Sequence, residues 1–102
     1  MTKDWRLENL EERPLHGISL VRKPYRVRRA NWDHDHCAGC WTKLMEAGVN
    51  GEDLIHEGYT TTDDYPRGAE YDWICPSCFE QFREAMGWVD ATPLDPDGPA
   101  AL

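Results

Sequence analysis

Cys37-Ala38-Gly39-Cys40 and Cys75-Pro76-Ser77-Cys78 are the two stretches that decide the fold. They hold all four cysteines of the chain, and 34 residues separate one pair from the other. A Cys-x-x-Cys turn directs two thiolates to one side, and two such turns complete the tetrahedral sulfur cage in which proteins hold zinc. The spacing therefore predicts a Zn2+ site with four ligands, Cys37, Cys40, Cys75 and Cys78.

The chemistry of this site favours a structural metal over a catalytic one. Four thiolates fill the coordination shell of zinc, so no position remains open for a substrate, and the binding energy contributes to folding. The alternatives are a redox dithiol, an iron–sulfur cluster or two disulfides. The N-terminus has no signal-peptide pattern, so we expect a cytoplasmic protein, and a reducing compartment favours metal over disulfides.

The chain of 102 residues has the length of one domain. We divide it into a basic N-terminal extension packed on the domain (1–30), the zinc-binding domain (31–90) and a flexible tail rich in proline (91–102). A chain of about 90 ordered residues is near the size at which a metal becomes important for stability. No apolar run is long enough to span a membrane, so we expect no membrane partner.

Charge is distributed unevenly along the chain, whose formal net charge is −8. Residues 1–30 contain eight basic and four acidic residues, whereas residues 31–102 contain three basic and fifteen acidic residues. An acidic body repels nucleic-acid phosphates, so a basic cluster in the first part is either a solvated strand face or a contact for an acidic partner. The cluster consists of Arg22, Lys23, Arg26, Arg28 and Arg29.

Apolar spacing predicts the elements that surround the first cysteine pair. We expect a short helix over 3–12 and one or two strands over 18–29, with an edge or a break at Pro24. A helix is expected over 41–48, because apolar residues recur there at helical spacing. Residues 53–58 have no clear period and are expected to be irregular.

The second cysteine pair follows a predicted hairpin and opens a predicted helix. Strands over 58–62 and 70–74 are rich in aromatic and β-branched residues, and together they deliver Cys75. A helix over 76–87 is indicated by proline near its start, Ser77 as a capping residue and glycine at its end. Its expected core face consists of Phe79, Phe82 and Met86.

The order of knuckle, loop, β-hairpin and a second cysteine pair at a helix start resembles the treble-clef zinc-finger fold group. The resemblance covers roughly residues 33–89 and rests on Cys37, Cys40, Cys75 and Cys78. It implies an α+β fold with an N-terminal strand extension and a structural zinc, and no particular activity. The chain also resembles small bacterial four-cysteine zinc-binding proteins.

The run Asp33-His34-Asp35-His36 directly precedes the first pair and has three interpretations. His34 or His36 supports the knuckle by hydrogen-bonding a sulfur or the backbone, or replaces or adds a metal ligand. The run also resembles the Asp-His-Asp-His motif of the His-Me finger (HNH) nucleases, which implies metal-dependent phosphodiester cleavage. In those nucleases the run lies after the first cysteine pair, and here it lies before it.

We predict a non-enzymatic zinc-binding protein that acts as a protein–protein interaction or adaptor module. The tryptophans exceed what so small a core requires, and any exposed ones are candidate anchors for a partner. Nucleic-acid binding through the basic segment 22–29 is the second hypothesis, and a nuclease that uses His34 and His36 is the third. The candidate anchors are Trp5, Trp32, Trp41 and Trp88.

Overall fold

The structure, a computed structural model, describes residues 4–27, 34–48, 51 and 54–93. These ranges contain two helices and seven strands, which confirms the α+β class. No helix within them has the length and apolar character needed to cross a membrane. The elements are α1 (Trp5–Glu11), β1 (Ser19–Pro24), β2 (Asp35–His36), β3 (Lys43–Leu44), β4 (Leu54–Ile55), β5 (Glu57–Thr61), β6 (Trp73–Ile74), α2 (Pro76–Met86) and β7 (Val89–Asp90).

The main sheet has four strands in the order β6-β5-β1-β7. β1 pairs antiparallel with β5 and parallel with β7, and β5 pairs antiparallel with β6. The predicted strand in 18–29 and the predicted hairpin are therefore confirmed. β7 pairs only with Ser19 and Leu20, so Pro24, which has no N–H, lies where β1 has a partner on one side only. That placement agrees with the break expected at Pro24.

A second sheet, in the order β2-β3-β4, replaces the helix that we predicted over 41–48. The Thr42 carbonyl accepts a hydrogen bond from the Cys37 N–H at 2.8 Å, which turns the chain back along β2. Leu44 on β3 is fully buried in a small core cluster with Tyr25 and Trp73. The helical prediction was wrong because Leu44 is buried in a strand, and the turn at the first cysteine pair sets the path of that strand.

Two further short strands were absent from the sequence prediction. Residues 53–58 were expected to be irregular, whereas β4 pairs parallel with β3 and β5 already begins at Glu57. β7 follows α2 directly and pairs with the start of β1. The predicted strand over 70–74 is reduced to β6, since Glu70 has a positive φ of 56° and the chain bends until Asp72.

Helix α2 was predicted correctly except for its cap. Its buried side chains include Phe79, Phe82 and Met86, and it ends at Gly87 in the left-handed conformation with φ 68°. Cys75, not Ser77, occupies the N-cap position, where its sulfur accepts a hydrogen bond from the Cys78 N–H. The cap of α2 is therefore a member of the cysteine cluster.

The main core lies between α2, β1 and β5. Phe79 stacks on Tyr59 with ring centroids 3.7 Å apart, and the Trp88 ring lies nearly parallel to Phe79 with its centroid 5.9 Å away. The Trp88 indole N–H donates a 2.8 Å hydrogen bond to the Leu15 carbonyl, which fixes the segment after α1 to the core. The same cluster contains the buried cysteines, so the hydrophobic core and the candidate site are continuous.

A buried polar network joins the N-terminal segment to the β5–β6 connection. The Asp72 carboxylate accepts hydrogen bonds from Arg13 at 2.7 Å and from the Tyr65 hydroxyl at 2.5 Å. Burial and the bond to Asp72 raise the pKa of Tyr65. These two hydrogen bonds compensate the free-energy cost of burying the Asp72 carboxylate. They also fix the relative positions of the two segments.

Candidate metal centre

The four cysteine sulfurs form a single cluster, with all ligand atoms within 4.8 Å of one another. Cys37, Cys75 and Cys78 are buried, and Cys40 is half-buried. The Cys40 and Cys75 sulfurs are 3.5 Å apart, well beyond the length of a disulfide bond. Four thiols so close together are arranged to bind a metal ion, and a sulfur donor set suits a thiophilic one.

Two local structures position these sulfurs. The first pair lies on a tight turn, residues 37–40, which we call the knuckle. The knuckle is closed by the Cys37–Thr42 hydrogen bond and by a 3.0 Å bond from the Trp41 N–H to the Cys37 carbonyl. The second pair lies at the N-terminus of α2, where unpaired backbone N–H groups and the helix dipole favour negative charge.

Backbone N–H groups and one hydroxyl surround the sulfurs with hydrogen bonds. The Gly39 and Cys75 N–H groups donate to the Cys37 sulfur at 3.4 and 3.2 Å. The Thr42 hydroxyl lies 3.0 Å from the Cys40 sulfur, and the Cys78 N–H donates to Cys75 at 3.4 Å. Such donors stabilise thiolates and orient them toward a common centre.

Protonation within the cluster is uneven. Hydrogen bonds from the Cys75 and Cys78 thiols lower the pKa of Cys37. The same bonds to Cys37 raise the pKa of Cys75 and of Cys78. Cysteine binds a metal ion as the thiolate, so metal binding displaces thiol protons.

Helix α1 covers the centre, a role that sequence analysis missed. The Asn9 amide donates a 2.8 Å hydrogen bond to the Gly39 carbonyl, and Leu10 is fully buried in the cluster that contains the cysteines. A Cβ at Gly39 would lie 3.2 Å from the Cys78 sulfur and 3.3 Å from Leu10, so the knuckle leaves no room there for a side chain. The only sequence signal for this helix was the spacing of Leu7 and Leu10, which predicts a helix but does not show what the helix packs against.

The two histidines lie beside the knuckle and outside the group of four sulfurs. Their rings are 4.9 Å apart, and the exposed His36 also lies 6.2 Å from the Trp41 ring. Burial, then the neighbouring charges of His34 and Lys43, lower the pKa of His36. Asp35 accepts a 2.7 Å hydrogen bond from the Tyr25 hydroxyl, and Asp33 lies outside the described residues. The roles proposed for the histidines stay predictions.

The basic cluster is partly neutralised by the chain's own carboxylates. Arg22 donates to Glu57 with an Nε–Oε2 distance of 2.6 Å, and Lys23 pairs with Glu70 at 3.0 Å. Arg26 is exposed. The two remaining members of the predicted contact patch, Arg28 and Arg29, lie outside the described residues.

Comparison of the chain with protein-family models, curated proteins and solved structures gave no match. The resemblance to the treble-clef group therefore depends on element order and cysteine geometry alone. What the fold and the site define is a small α+β domain with four cysteines arranged to bind a metal ion.

Proposed function

We propose that this chain is a non-enzymatic zinc-binding module of treble-clef type whose surface binds a protein partner. Zinc is supported by the four-sulfur donor set and by the hydrogen bonds that the sulfurs receive. The treble-clef assignment is supported by the order of elements: the knuckle between β2 and β3, the β5–β6 hairpin and the second pair at the start of α2.

The exposed tryptophans carry the proposal of a protein partner. Trp5 and Trp41 are each 55% exposed, whereas Trp73 and Trp88 are buried. Trp32 lies outside the described residues. Trp41 follows the knuckle directly, and Trp5 lies one turn before Asn9, on the side of α1 that contacts the knuckle. Tryptophan is enriched among the residues that carry the binding energy of protein interfaces, which supports these exposed indoles as anchors.

The two alternatives have less support. Nucleic-acid binding needs cations that are available to phosphates, and Arg22 and Lys23 are paired with glutamates of the same chain. Metal-dependent cleavage through His34 and His36 needs a metal site at the histidines, and among the described residues the group placed to hold a metal consists of the four cysteines. We therefore propose a structural role for the metal.

Metal analysis tests the first half of this proposal. We expect one zinc per chain, and we expect a chelator such as EDTA to abolish the folded circular-dichroism spectrum, because binding and folding are coupled. Two metals per chain would instead indicate that the histidines are ligands. A metal-free protein that keeps its fold would contradict the structural role.

Site-specific crosslinking tests the second half. A photoreactive benzoylphenylalanine, which keeps a large aromatic group as the anchor, replaces Trp41 in one variant and Glu80, on the exposed side of α2, in a matched control. In an extract of the source organism, we expect a discrete protein adduct at position 41 that is absent at position 80 and absent after chelation. Equal adducts at both positions would refute a specific protein-binding surface at the knuckle.

A further inference from the structure

Trp41 combines two features that are unusual for a bulky residue. Its backbone has a φ of 70°, a left-handed conformation that bulky residues avoid and glycine adopts readily. Its indole is 55% exposed, so the strained backbone is not compensated by burial. Glu70, which also has a positive φ, places its carboxylate on Lys23. Residues held at strained backbone angles by the surrounding structure cluster at functional sites.

The neighbours of Trp41 give its surface a defined chemistry. His36 lies 6.2 Å from the Trp41 ring and faces Lys43 across the β2–β3 pair, and directly opposed residues share one face of a sheet. The His34 ring lies 4.9 Å from that of His36. We call this surface the knuckle face; it consists of His34, His36, Trp41 and Lys43.

The acidic residues of the same segment are engaged elsewhere. Within residues 34–48 these are Asp35 and Glu46. Asp35 is opposite Leu44 on the other face of the strand pair and accepts a hydrogen bond from Tyr25. Glu46 accepts a 2.9 Å hydrogen bond from the Val27 N–H. The knuckle face therefore offers the Lys43 ammonium, the His36 imidazole and the Trp41 indole on a protein whose net charge is −8.

We propose that the knuckle face binds a short acidic segment of the protein partner. The Lys43 ammonium pairs with a carboxylate, the His36 imidazole hydrogen-bonds the segment, and the Trp41 indole packs on an adjacent apolar side chain. This inference depends on the proposed function, because it names the chemistry of the partner at the same surface. It also gives a reason for tryptophan at a position where the backbone favours glycine.

A short peptide fits this face better than a polynucleotide does. Charges separated by more than about 8–10 Å are largely screened at physiological salt, so a segment with two or three carboxylates is attracted mainly by groups close to Lys43. A polynucleotide extends beyond the face onto the acidic body and needs further cations along its path. Arg13, Arg22 and Lys23 are already paired with carboxylates of the chain.

The test uses nuclear magnetic resonance of the zinc-loaded, 15N-labelled chain. The probes are an eight-residue peptide with four glutamates and two leucines, its twin with glutamines for glutamates, and an eight-nucleotide oligothymidylate. We expect the Trp41 indole signal and the Lys43 amide signal to shift saturably with the glutamate peptide. The glutamine twin should bind at least tenfold more weakly.

Matched variants separate the knuckle face from general charge effects. Lys43→Gln should weaken binding of the glutamate peptide at least fivefold. Lys23→Gln, which removes an ammonium already paired with Glu70, should leave it unchanged. Trp41→Gly and Trp41→Ala should both lose binding, and the glycine variant should have the higher Tm because it alone relieves the backbone. A higher Tm for the alanine variant would contradict the strain argument.

The proposal is overturned if millimolar glutamate peptide leaves the Trp41 signal in place, or if Lys43→Gln and Lys23→Gln weaken binding equally. Tighter binding of the oligothymidylate than of the glutamate peptide would assign the face to nucleic acid.

The crosslink at position 41 separates failure of the acidic-segment proposal from failure of the proposed protein-binding function. A protein adduct there without peptide binding refutes the acidic partner alone, whereas loss of the adduct refutes the protein-binding function itself.

Discussion

The packing of α1 on the cysteine cluster makes Leu10→Ala the most informative perturbation. Leu10 is fully buried and belongs to the core cluster that includes Cys37, Cys40 and Cys78. Its Cγ would lie 3.3 Å from a Cβ at Gly39, so it packs directly on the knuckle. Truncation to alanine removes this cover without changing a ligand.

The expected magnitude follows from burial and from the coupling of metal binding to folding. A fully buried leucine truncated to alanine loses about 3 kcal/mol of folding free energy, from lost transfer energy and an unfilled cavity. If the metal-free chain is unfolded, this loss appears entirely in the apparent affinity for zinc. Each 1.4 kcal/mol is a factor of ten, so the apparent Kd for zinc should rise by roughly 100-fold.

Chelator competition measures this change, with circular dichroism recorded on the same samples. Val89→Ala is the control, because Val89 is 55% exposed and its truncation should alter stability by less than about 0.5 kcal/mol. Asn9→Ala, which removes the hydrogen bond to the Gly39 carbonyl, should give an intermediate loss of about 1 kcal/mol. An apparent zinc affinity that is unchanged by Leu10→Ala would refute the role of α1 as a cover of the centre.

Three further predictions concern the hairpin that delivers the second cysteine pair. Gly58→Ala should destabilise the zinc-loaded protein by about 2 kcal/mol in urea denaturation, because the new Cβ would lie 2.8 Å from the Ile74 carbonyl oxygen; an unchanged midpoint would contradict the close approach of β5 and β6. Arg13→Ala should reduce stability by roughly 1.5–3 kcal/mol, since buried Asp72 loses a charged hydrogen-bond partner; Arg26→Ala, at an exposed position, is its control. The raised pKa of Tyr65 implies stability that is fully present below the ordinary tyrosine pKa of about 10 and is lost as pH rises above it. Tyr65→Phe should lower stability at neutral pH and reduce this alkaline loss. An identical slope of unfolding free energy against pH in the two proteins would refute the assignment.

The cysteine spacing predicted the centre correctly because it is a local chemical signal. Cys-x-x-Cys turns bring two sulfurs together whatever surrounds them. The proline, the glycine and the apolar spacing of α2 likewise specify a helix without contributions from tertiary contacts. The same reasoning failed over 41–48, where Leu44 has helical spacing from Trp41 but is buried in a strand. There the tertiary partners Tyr25 and Trp73 outweigh a weak local preference.

The cover provided by α1 could not be predicted, because it joins residues 30 positions apart by one amide hydrogen bond. Short strands such as β4 and β7 likewise contain two residues each, too few for a period to be recognised. These strands pair because of the path that the chain takes after the knuckle and after α2. That path depends on how the cysteine cluster is assembled.

The cysteine cluster also joins the two sheets, which links the metal to the surface proposed for binding. Cys37 forms a β-bridge with Trp73 of β6, and the Ala38 N–H donates a 2.8 Å hydrogen bond to the Trp73 carbonyl. The turn that places Trp41 on the surface is closed by the Cys37 carbonyl, at 3.0 Å. We expect loss of the metal to release both contacts, because one is made by the ligand Cys37 and the other by its neighbour Ala38. On the proposed function, the geometry of the knuckle face then depends on the metal even though Trp41 is not a ligand, and this dependence is why we expect chelation to remove the adduct at position 41.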